Sequence, residues 1–239
     1  MKQLRWAVVA LVVFALCSGQ LAAATITISS VTGSWMNPNP AGVTITNGAD
    51  MSRVSWGVPI GSGSQSSYVF DSDVPPPLSV EVPPTVTPWL DLGNFTHNNF
   101  PINPPSLSSI ELSLVLSMLV DGTPVSQSFL YTLTHNETNN VGPCAFPGMT
   151  TCPDQVSIST PSSGTFVAGG VRYTLELRFS RDGGATVLDQ FITEENRANT
   201  ADLFGRFTSE LVPIPEPASM GLIGLGLAGL LLAKRKLTA

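Results

Sequence analysis

The sequence predicts an all-β fold, a single β-sandwich or jelly-roll-like domain. Three observations carry that expectation. Strict apolar/polar alternation recurs along the chain. No stretch between residues 25 and 212 shows the 3.6-residue apolar spacing of a helix. The segments between alternating runs are crowded with Gly, Pro, Asn and Ser. The 239 residues include 21 Gly and 20 Pro, punctuation suited to many short strands.

The clearest strand is Val171 to Phe179, with Val171, Tyr173, Leu175, Leu177 and Phe179 on one face and Arg172, Thr174, Glu176 and Arg178 on the other. Ile110 to Val120 alternates in the same way. Val115 and Leu119 make its second face partly apolar, as in a central strand. Phe129, Tyr131 and Leu133 continue the pattern beyond an Asp121-Gly122 turn. Shorter candidates are Thr25–Ile28, Val43–Thr46, Arg53–Trp56, Tyr68–Phe70, Leu78–Val82, Val156–Ser159, Thr165–Ala168 and Thr186–Thr193. Asp182-Gly183-Gly184 reads as a hairpin turn. Pro75-Pro76-Pro77 and Pro83-Pro84 suit loops or a sheet edge. No repeat period is present.

The charged fraction is 12%, about half the usual share for a soluble globular protein. All three lysines lie at the chain ends, and residues 25–217 hold six arginines against all 17 acidic residues, a formal charge of −11. Such a surface offers nothing to neutralise phosphates, which excludes an electrostatic nucleic-acid binder. Two His and three Cys are too few for a zinc finger or an iron–sulfur protein.

The ends read as addresses. Residues 1–24 have the pattern of a secretory signal peptide: Lys2 and Arg5, an apolar run from Trp6 to Cys17, and small residues at Ala22, Ala23 and Ala24 before the cut. Leu16 precedes Cys17 where a lipoprotein site needs a small residue, so Cys17 leaves with the leader. Residues 218–233 are uncharged and rich in Leu and Gly. As a helix they span about 24 Å, close to a hydrocarbon core once Lys234 snorkels. The basic tail Lys234, Arg235 and Lys236 is expected to stay cytoplasmic. Immediately before the helix, Pro215, Glu216 and Pro217 impose extended backbone open to a processing enzyme. The organisation expected is a leader at 1–24, one β domain at 25–212 and a terminal signal at 213–239.

Cys144 and Cys152 are the cysteines left after leader removal. In an exported chain such a pair is expected to form a disulfide, closing a Pro/Gly-rich loop. A redox or metal pair lacks Cys-x-x-Cys spacing. His97 and His135 lie in Asn/Thr-rich stretches. With Glu137, which shares a face with His135 in an extended strand, they could bind zinc or do acid–base chemistry. The preferred reading is that both histidines bond loop backbone at a sheet edge. No Gly-x-Ser-x-Gly elbow is present. Asp71 with Asp73, or Glu194 with Glu195, lacks the spacing of a defined calcium loop. Trp35, Trp56 and Trp89 are expected in the core; on one exposed face they would stack on sugar rings. The sequons at Asn94 and Asn136 read as chance.

The order Pro-Glu-Pro, short Gly/Leu-rich helix and basic tail closely resembles the PEP-CTERM sorting signal. The resemblance implies export, a transient membrane anchor, cleavage by exosortase near Pro215–Pro217, and a destination at the cell surface or exopolysaccharide matrix. A second resemblance lies at Thr96-His97-Asn98-Asn99, which looks like the signature of the THxN family of PEP-CTERM proteins, similar to choice-of-anchor domains. Gly33-Ser34-Trp35, Trp56-Gly57-Val58-Pro59, Gln65-Ser66-Ser67-Tyr68-Val69-Phe70 and Cys152-Pro153-Asp154 agree with it. Asn139 departs, standing where the family pattern has Pro. The family implies sorting without an established activity. The expectation is therefore an exported, non-catalytic protein without a cofactor, its partners exosortase and the membrane before processing. The alternatives are an exopolysaccharide-binding module using the tryptophans and an enzyme using His97 and His135.

Overall fold

The structure, a computed structural model, describes residues 24–72, 78–82 (backbone only), 86–140, 143–146, 152–159 and 164–212. The expected leader up to Ala23, the proline runs at 75–77 and 83–84, and the segment 213–239, with Pro215, Glu216, Pro217, the helix at 218–233 and the basic tail, lie outside the described residues.

Among the described residues all regular structure is β. In chain order the strands are β1 (Ala24–Asn39), β2 (Thr44–Thr46), β3 (Met51–Trp56), β4 (Val58–Pro59), β5 (Ser66–Asp71), β6 (Leu78–Val82), β7 (Leu90–Asn99) and β8 (Ile102–Asn103). They continue with β9 (Ser109–Val120), β10 (Thr123–Asn136), β11 (Asp154–Ile158), β12 (Thr165–Ala168), β13 (Val171–Ser180), β14 (Gln190–Thr193) and β15 (Arg197–Leu211). One sheet has six strands in the order β14-β11-β10-β9-β1-β6; the other has seven, β12-β13-β15-β7-β5-β3-β2. The ribbon β4-β8 stands apart. The sheets are curled as a half-barrel around a single apolar core.

The alternation that predicted the best strands is the alternation that builds this core. Tyr173, Leu175, Leu177 and Phe179 of β13 are all buried, as are Ile110, Leu112, Leu114, Leu116, Met118 and Val120 of β9. β9 is central, between β1 and β10, yet Val115 and Leu119 remain exposed on its outer face. Its two-residue connection to β10 puts Asp121 and Gly122 at φ 49° and 78°, the left-handed pair that matches strand twist. Across the core, Phe129 of β10 meets Phe207 of β15 edge-on, and the Tyr131 hydroxyl donates to the Leu175 carbonyl at 2.7 Å.

Several expectations change. The Asp182-Gly183-Gly184 turn reverses the chain, and Phe179 bridges Leu188. The following strand β14 nevertheless leaves for the other sheet and pairs with β11, so the turn is not a hairpin between sheet neighbours. The expected strand at Thr25–Ile28 is the start of a strand of 16 residues. β7 and β15 were not expected as strands. His97 and His135 do not sit in loops at a sheet edge: β7 runs between β15 and β5, and β10 between β9 and β11.

The sheets approach closely where Gly33 of β1 faces Phe70 of β5. A Cβ at Gly33 would fall inside the Phe70 ring, and Phe70 is fully buried. Gly33→Ala is expected to cost about 1–3 kcal/mol through overpacking, read from denaturant unfolding. Gly33→Ala with Phe70→Leu should recover part of that loss.

Candidate functional site

Two facing rows of side chains build the site. In the seven-stranded sheet Tyr68, His97 and Asn199 are register partners on the adjacent strands β5, β7 and β15. Direct partners in an antiparallel pair share a face, and all three are buried. In the six-stranded sheet His135 of β10 pairs with Val156 of β11. Asp154, two residues earlier on the same face of β11, pairs with Thr193 of β14. Glu195 follows at the corner where the chain crosses from β14 to β15. Asn199 fixes that corner: its amide donates to the Glu194 carbonyl at 2.8 Å and its side-chain oxygen accepts from the Glu194 amide at 2.9 Å.

The rows meet as a packed cluster. The His97 and His135 rings lie 5.1 Å apart at an interplanar angle of 86°. Trp56 stacks on His97 at 5.6 Å and 24°. Tyr68 touches both histidines and both buried tryptophans. The Nδ1 atom of each imidazole has a hydroxyl partner, Tyr68 for His135 and Thr193 Oγ1, at 2.9 Å, for His97. The Nε2 atoms turn inward. That of His135 lies 3.2 Å from Glu137 Oε2 and 3.7 Å from Asp154 Oδ2. That of His97 is buried with no hydrogen-bond partner among the described residues, as are Asp154 Oδ2, Asn99 Oδ1 and both Glu195 carboxylate oxygens.

The electrostatics follow from burial. Desolvation, then the nearby Glu137, pushes the Asp154 carboxyl up to about 6, against hydrogen bonds from Thr138. Desolvation, then Asp154 and Glu137, pushes Glu195 up to about 7. The Asn140 and Asn99 side chains lie close enough to oppose that shift, but neither makes a well-directed hydrogen bond to Glu195. Burial, then His135, holds His97 well below the usual imidazole value. Burial raises Tyr68 well above the usual phenol value. The buried carboxylates of Asp154 and Glu195, the half-buried one of Glu137 and two buried imidazoles thus crowd together. Among the described residues no arginine pairs with them, since the Arg172, Arg178 and Arg206 ion pairs are with Glu210 and Glu176.

Asp154 is held from one side. Thr138 donates to Asp154 Oδ1 from its backbone amide at 2.8 Å, and its hydroxyl bonds the Cys152 and Pro153 carbonyls at 3.1 Å. Cys152 is joined to Cys144 by a disulfide with a Cα–Cα distance of 4.8 Å. The strap therefore ends two residues from the inward carboxylate.

The structure brings together His97, His135 and Glu137 from the sequence reading. It adds Asp154 and the orienting hydroxyls of Tyr68 and Thr193, to which that reading gave no role, and Glu195, which it weighed only with Glu194 as part of a calcium site. Their signal was available as inward parity: Asp154 shares a face with Val156 and Ile158, and Glu195 with Phe191 and Thr193. Thr96 points the other way and bonds Thr200 at 2.9 Å on the outer face, while the Asn99 amide donates to the Thr193 carbonyl at 3.2 Å. An exposed tryptophan row does not form. Trp35 and Trp56 are each 1% exposed, and half-buried Trp89 is covered by the Arg206 guanidinium at 4.4 Å. Ala24, expected as the last leader residue, begins β1 and pairs with Val82.

Two outcomes follow from this geometry. Tyr68→Phe removes the partner of His135 Nδ1 while keeping the ring, and should cost about 1–2 kcal/mol of stability, read by chemical unfolding against the parent. Replacing Cys144 and Cys152 by Ser should cost about 2–3 kcal/mol for opening the eight-residue separation, with reduction of the parent giving the same loss.

Comparison with known families finds a match to the PEP-CTERM protein-sorting motif at residues 213–236. No curated protein matches the chain. The match begins at the residue after Val212, the last described residue of the β domain, and it covers the Pro-Glu-Pro, helix and basic segments read from the sequence. The chain is therefore a carrier of the PEP-CTERM protein-sorting motif, a signal that implies export and sorting to the cell surface.

Proposed function

We propose that this is an exosortase substrate whose β domain, residues 25–212, is cargo delivered to the cell surface or exopolysaccharide matrix. The observation that carries the reading is the sorting-motif match at 213–236. In this account the leader 1–24 directs export, and residues 218–233 hold the chain briefly in the membrane with Lys234, Arg235 and Lys236 inside. Exosortase then acts near Pro215, Glu216 and Pro217. The half-barrel is a β-sandwich-like module with no catalytic step assigned to it. Membership in the THxN family is part of the proposal. It is supported by the convergence of Trp56, Tyr68, His97 and Asp154, all within the stretches that carry the resemblance, on one interior cluster with His135. The burial of Trp35 and Trp56 removes the aromatic platform on which a sugar-stacking role would rest.

Intact mass of the protein from cells with and without exosortase tests the reading. The expected result is an end near Pro215–Pro217 only when exosortase is present, abolished by Pro215→Ala with Pro217→Ala. A chain ending at Ala239 in both strains would reduce the segment to a plain anchor and overturn the proposal.

A further inference from the structure

We propose that His97, His135 and Asp154, with Glu137 as the fourth donor, bind one divalent transition-metal ion of the zinc class in the interior between the two sheets. Nothing in the sorting reading requires this site, and it stands or falls separately.

The first argument is the donor set. One ring nitrogen from each of His97 and His135 and one oxygen of Asp154 lie within 4.8 Å of one another, and oxygens of Glu137, Asp154 and Glu195 form a second such group sharing Asp154. Ligands around tetrahedral zinc sit about 2.0–2.2 Å from the ion, hence about 3.3–3.6 Å from each other. His135 Nε2 is already 3.2 Å from Glu137 Oε2 and 3.7 Å from Asp154 Oδ2. Closing the set on an ion therefore requires small side-chain adjustments and leaves the strand framework in place.

The second argument is hydrogen-bond polarity. Both Nδ1 atoms face hydroxyl oxygens that can accept, Tyr68 and Thr193. With its ring proton on Nδ1, His97 Nε2 carries a lone pair; holding an ion requires the same tautomer of His135, in place of an Nε2–H donated to Glu137 Oε2 at 3.2 Å. In that state the lone pairs and the carboxylate oxygens are all acceptors, gathered in one largely buried cluster. Asp154 Oδ2 and His97 Nε2 are fully buried and lack a hydrogen-bond partner among the described residues. Buried acceptors aimed at a common point are costly unless a cation lies between them. Metal-ligating imidazoles are oriented in this way, the distal nitrogen bonded to a neighbouring group.

The third argument is selectivity. Calcium and magnesium favour all-oxygen ligands, whereas two imidazoles with carboxylates suit zinc and its late first-row neighbours. Trp56 and Tyr68 pack against both imidazoles, and His97, His135 and Asp154 are buried, as at a structural site.

The exported chain, stripped with a chelator and dialysed against zinc sulfate alone, is desalted and weighed by native mass spectrometry. One zinc per chain is expected, with a higher thermal midpoint that calcium chloride does not reproduce. His97→Gln and His135→Gln should each weaken zinc binding by more than the 10–100-fold typical of losing an outer hydrogen-bond partner, while Tyr68→Phe should fall within that range. Zinc-edge X-ray absorption on the unmutated protein should show two imidazoles, and it decides the matter if the variants fail to fold. Failure to retain zinc means that a proton alone relieves the cluster, and overturns the proposal. Equal retention by folded His97→Gln and His135→Gln, a spectrum without imidazole, or calcium binding in place of zinc would also overturn it.

Discussion

Tyr68 ties the two sheets together, and the interior is arranged around it. Its ring, fully buried, touches Trp56, Phe95 and His97 from its own sheet, and Trp35 and His135 from the other. Its hydroxyl has nowhere to find water, so the fold must supply a partner, and His135 of the opposite sheet is that partner. A polar atom at the centre of an apolar interior fixes the lateral position of one sheet over the other more sharply than apolar contact can, because a slip leaves two buried groups unpaired. Thr193 does the same through His97 and Asn99. The half-barrel is thus held by apolar area and aligned by a few polar contacts across the gap.

The legibility of the fold follows from this division of labour. Where the inward residues are apolar, as in β9, β10 and β13, alternation alone identified the strand and its buried face. β7 and β15 escaped because their inward positions include His97, Asn99, Asn199 and Ala201, residues that a hydrophobic pattern counts as loop. β1 was cut short at Ile28 because Ser29 and Ser30 are both exposed at a register shift that interrupts the alternation; further along, Gly33 is the residue that lets Phe70 approach. The Asp182-Gly183-Gly184 turn was real, with both glycines at positive φ. No local signal says that the next strand belongs to the opposite sheet.

The site was half visible for the same reason. His97, His135 and Glu137 stood out because histidine is scarce in this chain, with two in 239 residues. Asp154 and Glu195 were two acids among 17. Only the parity of their strands separates them from the solvated ones, and parity becomes decisive once β11 and β14 are known to face the core. The placement of His97 at a sheet edge rested on its Asn and Thr neighbours. Those neighbours divide between the two faces of a central strand, Thr96 outward and Asn99 inward.

The cluster also couples to the rest of the molecule through time as well as space. Its donors come from β7, β10, β11 and the residue that follows β10, so they converge only after the sheets have packed. Asp154 is aimed by Thr138, which bonds the backbone of the disulfide strap at Cys152. A cation held there would bind the native state and not the unfolded chain, and its binding free energy would appear as folding stability. Without a cation, the carboxylates destabilise the packed state by their mutual repulsion and desolvation. A domain with few ion pairs and an acidic surface gains little from surface electrostatics. The interior cluster is then the place where a change of cation occupancy would alter its stability most.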